Sequence, residues 1–197
     1  MSSPTTDTPR RSETKHRAIL EAAARCVGRD GYAATSIEAV AAEAGVGKQT
    51  IYRWWPSKPA LFVEVYSALV NRTLLSPDGA VAAAPPGRPV SDLLRRLFGL
   101  YRSTPAGSIL AGLIGAAAED AQTRAAVRDG LVLGRRSILL DRIREAAPAG
   151  ADRSRMEHVN DLIVSMIWQR LIMAPEDLTD SFADELAQLV DTVGHAG

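Results

Sequence analysis

Between residues 35 and 55 the chain places a severe demand on its own backbone. Two short stretches patterned for helix, 35–44 and 48–55, are separated only by Gly45-Val46-Gly47. A link that short makes two helices cross at a steep angle instead of running end to end. Ala41, Gly45 and Ile51 stand where such a crossing needs them. A small side chain lets the helices approach, a glycine turns the chain, and a branched apolar residue fills the gap from the other side. Thr35-Ser36-Ile37-Glu38 fits a capping box, with the Thr35 hydroxyl on the Glu38 amide and the Glu38 carboxylate reaching back to the Thr35 amide. Pro56 closes the second of the two helices.

The remainder reads as helix throughout, in an all-α chain of about nine helices. Residues 1–11, rich in Ser, Thr and Pro, read as a flexible tail. A first helix is predicted from Ser12 to about Val27, with Ile19, Ala22, Ala23 and Cys26 on one face and Gly31 ending it in a left-handed turn. Ser57-Lys58-Pro59 opens a fourth helix that continues to about Leu74. Residues 76–90, rich in Ala, Pro and Gly, read as a long loop. Helical periodicity resumes at 90–103, 107–119, 121–147, 153–174 and 179–193. The resulting division is a tail (1–11), a three-helix unit (12–57) and a larger helical unit (58–197).

Formal net charge is zero over 197 residues, yet residues 1–60 carry +3 and the rest −3. The excess positive charge suits an N-terminal surface that faces an anionic partner. Cys26 is the sole cysteine, so no intrachain disulfide forms, and a reducing, cytoplasmic setting is expected. The start lacks a signal-peptide pattern, and the longest apolar run, 109–118, is about half of a membrane span. No membrane association is therefore expected. Three scattered histidines and one cysteine, which reads as a small core residue, offer no metal or catalytic cluster. No metal, cofactor or enzymatic activity is predicted. Gly45-Val46-Gly47-Lys48-Gln49-Thr50 fails as a phosphate-binding loop, because it lacks the first glycine at the required spacing and no strand precedes it.

The helix after the turn exposes Lys48, Gln49, Tyr52 and Arg53, while Ile51 and one of Trp54 or Trp55 pack inward. Such a helix fits the DNA major groove. Gln49 suits adenine, Arg53 suits guanine or a phosphate, and Thr50 suits a thymine methyl or a phosphate. Lys48, Tyr52 and Lys58 suit the sugar-phosphate backbone, and the amides of Thr35 and Ser36 a further phosphate.

The run from Thr35 to Phe62, TSIEAVAAEAGVGKQTIYRWWPSKPALF, resembles the DNA-binding signature of tetracycline-repressor (TetR) type regulators. The likeness covers about residues 12–70. Gly47 departs from it, standing where a Ser or Thr is usual, and Pro59 replaces a usual acidic residue. The resemblance implies a homodimeric transcriptional regulator, a repressor that binds a palindromic double-stranded operator and is released by a small molecule. An activator, or a regulator without a ligand, is the alternative, and an all-helical enzyme a remote one. The larger helical unit would then bind ligand and dimerise. Tyr66, Phe98, Tyr101, Ile109, Leu113, Ile138, Trp168 and Gln169 are the candidate pocket walls. Met156, Val159, Ile163, Ile167 and Leu171, with Leu186 and Val190, are the candidate dimer interface, through a four-helix bundle built from the last two helices of each chain.

Overall fold

The computed structural model describes residues 8–75, 89–133, 138–147 and 152–195. Among them are ten α-helices and no β-strand. These are α1 (Thr8–Ala34), α2 (Ile37–Ala44), α3 (Lys48–Tyr52), α4 (Lys58–Leu74) and α5 (Pro89–Ser103), then α6 (Ala106–Glu119), α7 (Ala121–Val127), α8 (Ile138–Ala146), α9 (Arg153–Met173) and α10 (Asp180–His195). A π-helical turn, Arg128–Leu133, follows α7, and a 3-10 turn, Pro175–Asp177, precedes α10.

Helices α5, α6, α9 and α10 fall where the 3.6-residue periodicity places them. Four features differ from the sequence reading. First, α1 starts at Thr8, so the last residues of the expected tail are helical. Pro9 does not prevent this, because the first turn of a helix needs no amide from it. Residues 1–7 lie outside the described residues. Second, Gly31 kinks α1 with φ 79° and ψ 162°, a positive φ but not a left-handed helical turn, and the chain resumes to Ala34. Third, the single helix read at 121–147 is interrupted. It widens into the π turn where Gly130 meets α4, and a Cβ there would stand 2.4 Å from Val63 Cγ1. Fourth, α3 stops at Tyr52, although Trp54 and Trp55 still donate their amides to the Ile51 carbonyl at 2.9 Å. Of the long loop expected at 76–90, residues 76–88 lie outside the described residues.

The core is continuous from the N-terminal helices into the rest of the chain. Ile19, Ala22, Ala23 and Cys26 of α1 are fully buried, as are Phe62 on α4, Phe98 on α5 and Ile109 and Leu113 on α6. The join between the two parts is Tyr32. Its ring meets Phe62 edge-on at 5.3 Å and lies against α6 at Gly112. Burial pushes the Tyr32 phenol up to about 12. Glycine at 112 is a steric requirement, since a Cβ would fall 2.4 Å from the ring carbons.

This contact predicts opposite outcomes for two glycines of one helix. Gly112→Ala is expected to lower stability by about 1–3 kcal/mol through forced displacement of Tyr32. Gly115→Ala, where nothing lies within 4 Å, is expected to raise it by about 0.5–1 kcal/mol. Urea unfolding of the two variants checks the contrast.

Candidate nucleic-acid interface and interior cavity

Ser36, not Thr35, caps α2. The Ser36 hydroxyl accepts from the Ala39 amide at 3.1 Å. Thr35 is buried, and both its hydroxyl and its amide donate to the Gly31 carbonyl, at 2.7 and 3.2 Å. The expected capping box is therefore displaced by one residue, and the Thr35 amide is engaged within the protein. Glu38 turns away from the backbone to pair with Lys48. That pair lowers the Glu38 carboxyl and raises the Lys48 ammonium relative to their ordinary values.

The turn is built as its glycines require. Gly45 adopts φ 65° and ψ 34°, and the Val46 amide reaches the Ala41 carbonyl at 3.0 Å. Gly47 precedes α3 without a side-chain cap. Ile51 is fully buried beneath α3. Lys48, Gln49, Tyr52 and Arg53 form an exposed face, with Thr50 half-buried at its edge. The Lys48 ammonium also lies 5.6 Å from the centre of the Tyr52 ring.

Lys58 points elsewhere. Its ammonium donates to the Tyr32 carbonyl at 2.7 Å and the Ala33 carbonyl at 3.4 Å, and lies 4.5 Å from the centre of the Tyr32 ring. The carbonyl end of α1 attracts the cation, and burial holds the amine below its ordinary value. The phosphate role read for Lys58 therefore gives way to a structural one, fastening α4 to α1.

A polar joint that periodicity could not reveal fixes the far end of α3. The buried Trp55 indole donates to Glu64 on α4 at 2.6 Å, and the other Glu64 oxygen lies 2.9 Å from His16 Nε2 on α1. The His16 ring stacks on Trp54 and Trp55 at 4.5 and 4.8 Å. Arg25 and Arg29 of α1 hold Glu43 of α2 at 2.9 and 3.5 Å.

In the larger unit, a cavity of ≈230 Å³ lies among α4, α5, α6, the π turn, α8 and α9. Tyr66, Tyr101, Ile138 and Trp168 line it as expected from the sequence, together with Val70, Leu74, Leu93, Leu110, Leu131, Leu139, Asn160, Asp161, Val164 and Ile167. The Tyr66 and Tyr101 hydroxyls are 2.8 Å apart. Four expected walls are elsewhere. Phe98 stacks on Phe182 at 6.0 Å, Ile109 and Leu113 are fully buried core, and Gln169 faces solvent.

The stripe on α9 and α10 is also reassigned. Val159, Ile163, Ile167, Leu171, Leu186 and Val190 are buried within the chain, and Met156 is half-buried against the same core. The exposed apolar residues of these helices are Leu162, Ile172, Met173 and Leu189.

Residues 19–65 match the model of the bacterial regulatory proteins of the tetR family, and residues 90–190 that of the tetracyclin repressor-like C-terminal domain. The chain belongs to the tetracycline-repressor family. It is a DNA-binding transcriptional regulator with a helical C-terminal domain. Among relatives of this TetR-family protein, the HTH-type regulator YdeS of Bacillus subtilis is 28% identical over 89% of this chain and 87% of its own. The DNA-binding transcriptional repressor TetR of Mycobacteroides abscessus is 29% identical over 93% of each. In structure, the TetR family regulator SCO0332 superposes with a TM-score of 0.70 at 31% identity, covering 90% of this chain and 97% of that one. The multidrug binding protein EbrR, complexed with ethidium, shares the fold at 20% identity and a TM-score of 0.57, over 89% and 98% of the two chains.

The joint behind α3 is testable in isolation. Trp55→Phe deletes the indole donor to Glu64 and is expected to lower stability by about 1–2 kcal/mol, read from urea unfolding.

Proposed function

We propose that this TetR-family regulator is a cytoplasmic homodimeric repressor that binds a palindromic operator and is released by a small molecule. The observation that carries the DNA-reading part is the exposed face of α3, with Gln49, Tyr52 and Arg53 outward over a buried Ile51. Among the described residues no helix is long and apolar enough to cross a membrane. In this reading Gln49 and Arg53 contact base edges, with Thr50 beside them. Lys48, Tyr52 and the start of α2 at Ser36 hold the backbone.

Two features support the dimer and its release. Leu162 and Met173 on α9 are 59% and 75% exposed, and Ile172 and Leu189 are exposed beside them. An apolar face of this kind on the last two helices suits a second copy of the chain, the arrangement that the family resemblance implies. The cavity shares α4 with the DNA-reading unit, so a ligand that favours a different setting of α4 shifts the population away from DNA binding. The ethidium complex of EbrR, a protein of the same fold, is consistent with an effector in this unit.

Purified protein is expected to shift a palindrome from its own upstream region, with half-sites about 34–36 Å apart or somewhat more. Affinity should fall steeply with salt, and Arg53→Ala should flatten that slope by about one unit if Arg53 meets a phosphate. Gln49→Ala should relax the preference at one base pair per half-site by about 1–3 kcal/mol, measured by competition between operator variants. Failure to bind any upstream palindrome at low salt would overturn the reading.

The dimer surface gives a separate expectation. Leu162→Arg combined with Met173→Arg should convert the protein to a monomer in light scattering while leaving its helical content intact. The inward residue Ile163, changed to Ala, should instead lower stability by about 2–5 kcal/mol.

A further inference from the structure

We infer that the interior cavity takes a compact organic cation with an apolar or aromatic body, a small quaternary ammonium compound being the simplest case. This rests on the reading of the cavity as the effector site and adds the chemical class of the effector.

The lining has an uneven chemistry. Among the described residues that form it, Asp161 carries the one formal charge, and none is Lys, Arg or His. Asp161 lies on the flank of α9 next to Asn160, whose amide donates to Asp161 Oδ1 at 3.2 Å. Three aromatic rings, Tyr66, Tyr101 and Trp168, complete the polar part of the wall, and the rest is aliphatic.

Each ligand class meets this wall differently. An anion would face the Asp161 carboxylate and the negative faces of the rings with no lining cation to offset its lost hydration. A neutral apolar molecule would gain burial alone. A cation gains burial, the Coulombic attraction of Asp161 and the attraction of the ring faces, with Trp the strongest of these. Spreading the charge over methyl groups lowers the dehydration that must be offset, which favours a quaternary or delocalised cation over a primary ammonium. At ≈230 Å³ the space falls below the roughly 300–1,000 Å³ usual for ligand pockets, so the cation is small.

The test is calorimetric titration of the full chain with benzyltrimethylammonium, its neutral isostere neopentylbenzene, and phenylmethanesulfonate. The cation is expected to bind about tenfold or more tightly than either of the others. Asp161→Asn, an exposed position where folding should be unaffected, is expected to weaken the cation by about tenfold and the neutral isostere by less than about twofold. Val164→Phe, which fills the space, is expected to weaken both. Binding of the isostere or the sulfonate as tight as that of the cation would overturn the inference. So would an Asp161→Asn protein that binds the cation unchanged, or no detectable cation binding. A separate arm adds saturating cation to the operator complex. Asp161-dependent binding that leaves the complex intact would refute the effector reading while the assigned ligand class stands.

Discussion

A five-residue helix cannot hold its own shape in water, since isolated helices shorter than about 12–15 residues are marginal even in favourable sequences. Everything that this protein presents to DNA stands on such a helix. The conformation of α3 is therefore set from outside, at three points. Gly45 fixes where the helix starts, Ile51 seats it on the core, and Trp55 locks its far end to Glu64. The third point differs in kind from the other two. Apolar packing tolerates sliding, whereas a 2.6 Å hydrogen bond from a buried indole to a carboxylate is directional. It holds the orientation of the reading face, and with it the direction in which Gln49 and Arg53 point.

Because Glu64 belongs to α4, that orientation is tied to a helix with other obligations. At its start Lys58 grips the carbonyl end of α1, and in its middle Phe62 and Val65 fill the core. Toward its end Tyr66, Val70 and Leu74 form part of the cavity wall. The π turn presses on the same helix through Gly130 and Val63. A packed helix moves as a unit, so a ligand that changes the spacing at Val70 acts on the same lever that holds Trp55. The free energy available for release is limited to the difference in ligand affinity between the two settings of α4.

The helical architecture and the DNA-reading segment were legible because each rests on local physics. Periodicity places α5, α6, α9 and α10, and the Ala41, Gly45 and Ile51 spacing places the crossing. Where several local solutions compete, tertiary contacts decide. Thr35 and Ser36 are both good caps, and Ser36 takes the role because Thr35 is drawn into the kink at Gly31. Lys58 reads as a phosphate contact until the carbonyl end of α1 arrives beside it. His16 and Glu64 stand 48 positions apart, and no one-dimensional pattern joins them. The break in the expected 121–147 helix likewise depends on Val63, a residue on another element. The cavity was half legible: its aromatic residues draw notice in a sequence, while Asn160 and Asp161 look like surface.

Helix α9 shows why an apolar stripe alone could not separate core from interface. Val159, Ile163, Ile167 and Leu171 form one face and are buried in the chain. Leu162 and Met173 form another and are exposed, and Asn160, Asp161, Val164 and Trp168 flank the cavity between them. A helix apolar over so much of its circumference must satisfy more than one contact. In the proposed dimer, the same helix touches the ligand on one flank and the partner on the next. A ligand against Asp161 and Trp168 then acts through α9 on the angle between the two subunits as well as through α4 on α3. Both routes change the separation of the paired α3 helices, which is the quantity that a palindromic operator measures.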